Sequence, residues 1–181
     1  PPSLADVDPW MGETAADNRY ALLDGAGDIL PDLLVGRLPV NTITETQTVL
    51  AKIVRYATDP YPGGWNSNVL FVADDADEAG DFAADSDQLA ATFIQAPFSA
   101  RSIYYAPPAT TVTDTRQAIL AQWNAGAGLV LYHGHSSVRQ WAAERLFHRD
   151  DVVALRNAGQ LPVVLQMSCF TGLFHEPSGT T

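Results

Sequence analysis

Two short apolar runs limit what this chain can fold into: Gly128–Ser137 (GLVLYHGHSS) and Leu161–Thr171 (LPVVLQMSCFT). Each has the length of a strand and is bounded by turn formers. Each stops at reactive residues, histidines in the first and Cys169, the only cysteine, in the second. Runs of this kind read as buried strands in the middle of a parallel sheet. In open α/β sheets, functional groups gather at the carboxyl ends of such strands. A histidine and a cysteine placed there on neighbouring strands are the parts of a thiol nucleophile and its general base.

The rest of the chain fits the same architecture. Tyr20–Leu23 and Leu33–Val35 are short apolar runs followed by the segments DGAGD and GRLPV, and they are expected as N-terminal strands. Thr44 with Gln47 three residues on forms a capping-box pattern that predicts a helix start, and Asp59-Pro60 predicts its end. Val69–Ala73 (VLFVA) is the cleanest buried strand and empties into an acidic loop. A helix is expected from Ser86 with Leu89, Phe93 and Ile94 inward. Ser102–Tyr105 is expected as a weaker strand, Asp114–Trp123 as a helix closed by Asn-Ala-Gly, and Asp151–Asn157 as a short helix. This alternation implies an α/β fold with a mostly parallel sheet and helices on both faces. A strand bearing a nucleophile ordinarily leads into a helix, and here only ten or so residues follow, finishing in PSGTT. The expectation is therefore a single domain truncated at its C-terminus, with 1–62 supplying N-terminal strands and a helix and 63–181 the catalytic part, as a fragment of a longer chain.

Composition excludes several functions. At 181 residues and 46% hydrophobic the chain can bury one core, and it has no apolar run long enough to span a membrane. A net charge of −11 argues against nucleic acid and against anionic membrane surfaces. One cysteine rules out an internal disulfide and any cysteine-based zinc site. The opening PPSLADVDPW lacks the basic start and apolar centre of a signal peptide. Acidity is concentrated in Asp24–Asp32 and Asp74–Asp87, which fits either a solvated surface or irregular calcium binding.

The reactive residues admit more than one reading. A lone Cys169 is either a small buried hydrophobe or a nucleophile. Small neighbours, Ser168 and Thr171-Gly172, leave room for a substrate, and backbone N–H groups at such a turn can hold an oxyanion. His133-Gly134-His135 flank a sharp strand exit. They read as hydrogen-bonded structural groups, as a general base, or as metal ligands with Asp75, Asp87 or His148 as the only further sources.

Four stretches together resemble the gingipain family of cysteine peptidases, a caspase-like α/β fold. They are YALLDGAGDILPDLLVGRLPV at 20–40, the strand to Asp75, YHGHSSVRQWA at 132–142 and LPVVLQMSCFTGLF at 161–174. The resemblance implies a caspase-like three-layer α/β/α sandwich and a cysteine endopeptidase acting through a Cys-His dyad and a thioester. Resolution of that thioester by an amine, as in a sortase-like transpeptidase, and an inactive binding domain are the alternatives. Aligning Tyr132, Gly134 and Trp141 puts the family's catalytic histidine on His135. Cys169 is then the nucleophile and Asp75 (with Asp74 beside it) the acid that orients the histidine. Gly134, Ser136 and Ser168 fall near the oxyanion, with Ser136 standing where the family has glycine. Trp141 and Asp87 fall at the substrate, Asp87 facing an Arg or Lys side chain or else serving as a helix cap. The family also implies protein or peptide substrates, further precursor domains, bacterial export to the surface or medium, and structural calcium near Asp24, Asp28 or Asp77, with no cofactor in catalysis.

Overall fold

The structure, a computed structural model, describes residues 4–8, 12–25, 27–157 and 159–175. The chain divides into two compact units, Pro1–Ile53 with Leu173–Thr181, and Val54–Gly172.

In the first unit, strands β1 (Leu4–Asp8) and β2 (Gly12–Ala15) form an antiparallel hairpin that the apolar pattern does not announce. The two runs expected as strands are not strands. Asp17–Ala21 is a 3₁₀ helix, and Leu33–Val35 is irregular. Carboxylates take the place of a pairing partner: Asp32 accepts the Leu23 N–H (2.8 Å) and Asp28 the Leu30 N–H (3.1 Å). The Asp32 N–H in turn donates to the Ala21 carbonyl at 2.8 Å. Arg37 clasps Asp17 through two guanidinium nitrogens and lies 5.2 Å from the centre of the Phe174 ring.

Helix α1 (Ile43–Thr58) begins earlier than the Thr44–Gln47 pattern predicts. The working capping box is Thr42 with Glu45. Thr42 Oγ1 accepts the Glu45 N–H (3.1 Å), and the Glu45 carboxylate accepts the N–H groups of Thr42 (3.0 Å) and Asn41 (2.6 Å). The helix ends at Thr58, as a following Asp-Pro requires.

The second unit is built on a four-stranded parallel sheet. Its strands are β3 (Asn68–Ala73), β4 (Ser99–Tyr104), β5 (Leu129–His133) and β8 (Val163–Met167), in the order β4-β3-β5-β8. Alternate residues supply the two faces, as the pleat demands. Leu70, Val72, Val130 and Tyr132 pack with Ile119 and Trp123 of helix α3 (Val112–Ala125). Val69, Phe71 and Leu131 pack with Leu89, Ala90 and Ile94 around helix α2 (Phe82–Phe93). Helices on both faces give the three-layer sandwich. Asp81 caps α2 by accepting the Ala84 N–H at 2.9 Å, so the helix starts four residues before the expected Ser86. Phe93, expected inward, is 71% exposed on the last turn. Helix α3 likewise starts ahead of Asp114, with Thr111 as its cap.

Within this sheet, only β3 and β5 are buried on both faces. β8 pairs along one edge with β5, and all five of its side chains are exposed, against the expectation of a buried strand. Its apolar run encodes a strand but does not specify what, if anything, packs over it. Two further short strands, β6 (Gln140–Trp141) and β7 (Phe147–His148), form an antiparallel hairpin beyond β5. No helix among the described residues is long and apolar enough to cross a membrane.

Candidate active site

Strand register sets the site. Ala73 of β3 pairs with His133 of β5, and His133 pairs with Met167 of β8. The residues just past these ends, Asp74, Gly134 and Ser168, therefore stand in one row. His135 and Cys169 each follow two residues beyond the His133–Met167 pair, on strands that lie ~4.8 Å apart. The ladder extends past the formal strand ends: the Asp74 N–H donates to the His133 carbonyl (3.1 Å) and the Gly134 N–H to the Met167 carbonyl (3.4 Å). The two loops meet again where the Ser136 hydroxyl donates to the Cys169 carbonyl. Cys169 is exposed in the turn after β8, which removes the reading of a buried hydrophobe.

The His135 ring is half exposed and its Nε2 lies 2.8 Å from Asp77 Oδ2. The acid that meets the ring is thus Asp77, where the sequence pointed to Asp75. A tight turn closed by reciprocal bonds between Asp77 and Gly80 (3.1 and 3.2 Å) brings residue 77 back toward the ring. The Ala79 N–H and the His135 ring hold the Asp77 carboxyl below the usual carboxylate range, so it is ionised near neutral pH. With Nε2–H assigned to Asp77, the lone pair of the imidazole sits on Nδ1.

The main chain of His135 is held more firmly than its side chain. Asp74, only 3% exposed, accepts the N–H groups of His135 (Oδ2, 3.2 Å) and Asp75 (Oδ1, 3.0 Å). Burial pushes the Asp74 carboxyl up to about 6, against the pull of those two bonds. The His135 carbonyl accepts the Tyr132 hydroxyl and the Ala142 N–H (2.8 Å). Burial and the nearby Asp74 raise the Tyr132 phenol above its ordinary range. Gly134 has φ +151°, and a Cβ there would stand 2.4 Å from Asp74 Cβ and 2.8 Å from the Tyr132 hydroxyl. Only glycine fits.

The remaining expected residues fall into different places. His133 Nδ1 and Ser168 Oγ are buried with no hydrogen-bond partner, and the His133 ring rests edge-on against Phe82, which also meets His135. Trp141, expected at the substrate, is 4% exposed. It stacks on Tyr132 (4.4 Å) and Trp123 (5.9 Å), donates to Gln166 (2.7 Å) and shows only as one wall of an open hollow of about 240 Å³. Asp87 is not a helix cap; it lies exposed on α2 and accepts the Tyr104 hydroxyl at 2.7 Å. Burial and this carboxylate push the Tyr104 phenol up to about 12. His148 caps the 3₁₀ helix Arg149–Ala154, its Nδ1 accepting the Asp150 N–H at 3.1 Å.

Residues 2–181 match peptidase family C25. The chain belongs to that family. Two solved structures share its fold. The Arg-specific cysteine proteinase gingipain R (RgpB) is 22% identical with a TM-score of 0.75, covering 89% of this chain and 37% of its own. The complex of the pro- and mature domains of Porphyromonas gingivalis RgpB is 21% identical with a TM-score of 0.76, covering 94% and 39%. The chain thus spans well under half the length of the structures it matches. A search of the curated proteins gives no match.

Within the C25 fold, acidic groups cluster twice among the described residues: Asp24, Asp28 and Asp32, and Asp74, Asp75 and Glu144. Asp77, one of the positions expected near calcium, is in neither cluster, since its carboxylate is turned to His135 and Ala79. Sequence reasoning missed Asp77 as the ring's partner, Tyr132 as a clamp and Glu144 altogether. The spacing ADDADEAG carries no signal for the Asp77–Gly80 turn, whereas the tyrosine of YHGH was in view without a role.

Proposed function

We propose that this chain carries the catalytic face of a cysteine endopeptidase in which Cys169 is the nucleophile and His135 its general base. The observation that supports this most is the register of β5 against β8, which puts both residues at the same level beyond adjacent strands. Asp77 fixes the ring through Nε2, leaving Nδ1 to take the Cys169 proton. The thiolate adds to the substrate carbonyl, and backbone N–H groups of the Ser136 and Cys169 turns take the oxyanion. The Gly134 N–H is already engaged by Met167, so it is left out of that role. Imidazolium then protonates the amine as the C–N bond breaks, and water, deprotonated by the same imidazole, releases the acid from the thioester.

Asp87, an exposed carboxylate held by Tyr104, is read as the group that meets a basic side chain. The fold shared with an Arg-specific cysteine proteinase supports that preference. The Asp24–Asp28–Asp32 cluster offers oxygen donors suited to calcium as a structural ion. Further domains of a longer precursor and an exported, bacterial setting complete the reading.

The test is alkylation of Cys169 against pH in wild type and His135→Ala, with Cys169→Ala as the blank, followed by peptides bearing Arg, Lys or Ala at the cleaved position. A dyad gives fast alkylation well below pH ~8.5, and His135→Ala moves the profile up to that ordinary thiol range. Coincident profiles refute the dyad.

A further inference from the structure

The structure buries a carboxylate for which the dyad chemistry has no use. Asp74 stands at the end of β3, 3% exposed, and its neighbours in the cluster, Asp75 and Glu144, are themselves acidic. Burying a carboxylate is costly, and the hydrogen bonds that it accepts offset that cost. Those bonds converge on one residue. The Asp74 main chain donates to the carbonyl of His133, and its side chain accepts the N–H of His135, so Asp74 brackets Gly134 from both ends. Gly134 in turn brings its backbone against Asp74 Cβ, at a distance that no side chain tolerates. Tyr132 and Ala142 then fix the carbonyl on the far side of His135.

We propose that Asp74 is a positioning residue for the reaction: its buried carboxylate, acting on the His135 amide across the Gly134 turn, sets where the catalytic imidazole stands relative to Cys169. This rests on His135 serving as the base of Cys169. The division of labour is specific. Asp77 orients the ring from solvent, and Asp74 anchors the backbone that carries the ring. A half-exposed side chain on a loop has many rotamers, so the placement of its Cα decides which of them reach the thiol. Misplacement of a reacting group by about 1 Å costs on the order of 100-fold in rate.

The experiment uses the 181-residue chain and two measurements. Amide exchange in wild type reads the His135 N–H directly, and it is expected to be protected at least about tenfold over an unbonded loop amide. The pH profile of Cys169 alkylation is then compared for wild type, Asp74→Asn and His135→Ala. Asn keeps the size, but its NH₂ cannot accept one of the two amides. Asp74→Asn is expected to slow alkylation at neutral pH by about 10- to 100-fold and to displace the profile toward that of His135→Ala, with an unchanged far-ultraviolet spectrum. A profile that stays on wild type while His135→Ala moves overturns the proposal alone. A His135→Ala profile identical to wild type removes the base itself, and the proposal with it. Should Asp74→Asn fail to fold, wild-type exchange decides: a His135 amide exchanging as fast as an unbonded one overturns the proposal.

Discussion

Gly134→Ala is the substitution whose cost the structure specifies best. At φ +151° the backbone lies in a region that L side chains rarely adopt, which costs roughly 1–3 kcal/mol. The added methyl would stand 2.4 Å from Asp74 Cβ and 2.8 Å from the Tyr132 hydroxyl. Neither neighbour is free to withdraw. Asp74 is tied to His133, His135 and Asp75, and the Tyr132 ring is stacked on Trp141 at 4.4 Å. Forced overpacking of this kind adds about 1–3 kcal/mol. Together these predict a loss of about 2–6 kcal/mol, a large share of the roughly 5–15 kcal/mol that holds a typical domain. Urea unfolding followed by circular dichroism measures it, with Gly172→Ala as the control, since nothing lies within 4 Å of a Cβ built there. The control is expected within about 1 kcal/mol of wild type. If Gly134→Ala costs no more than the control, the close approach of Asp74 and Tyr132 to residue 134 is wrong, and so is the clamp built on it.

The other predictions test separate parts of the fold. Asp74 has a carboxyl raised from 3.8 to about 6, so the native state binds its proton more tightly than the unfolded chain. Its contribution to stability is complete below pH ~4 and is lost as pH rises through ~6. Unfolding free energies between pH 4 and 7 should therefore decline more steeply in wild type than in Asp74→Asn. Trp141→Ala removes a buried ring from the stack with Tyr132, Trp123 and Phe147 and is expected to cost about 3–5 kcal/mol in the same urea assay. A cost under ~1 kcal/mol would return Trp141 to the surface. Thr42→Ala deletes the cap of α1 and should cost about 1 kcal/mol, seen as a lower thermal midpoint. Thr44→Ala, inside the helix, should cost less than Thr42→Ala.

What the sequence revealed follows from how far each signal reaches. β3 and β5 are legible because both of their faces are covered, so Val69–Ala73 and Leu129–Leu131 run without a polar residue. β8 carries the same run of residues, yet its cover depends on what packs beside it, and its exposure was invisible. Helix starts moved by one to four residues because several residues compete for each cap: Thr42 against Thr44, Asp81 against Ser86, Thr111 against Asp114. The level of His135 and Cys169 was readable from two strand ends. Their supporting groups were not, since Asp77 reaches the ring through a turn, and Trp141 is buried by Trp123, eighteen residues away, and by Phe147 across a short hairpin that no apolar run announces. The runs at Tyr20–Leu23 and Leu33–Val35 misled because strand formation needs a partner as well as a pattern.

The aromatic stack has a use outside catalysis. Trp123 and Trp141 lie 5.9 Å apart at 26°, and Trp141 lies flat on Tyr132, whose hydroxyl touches the His135 carbonyl. Indoles this close are expected to couple their electronic transitions, and the resulting ultraviolet dichroism should change when the geometry relaxes. The molecule thus carries its own optical gauge of the loop that bears His135, readable without label or substrate.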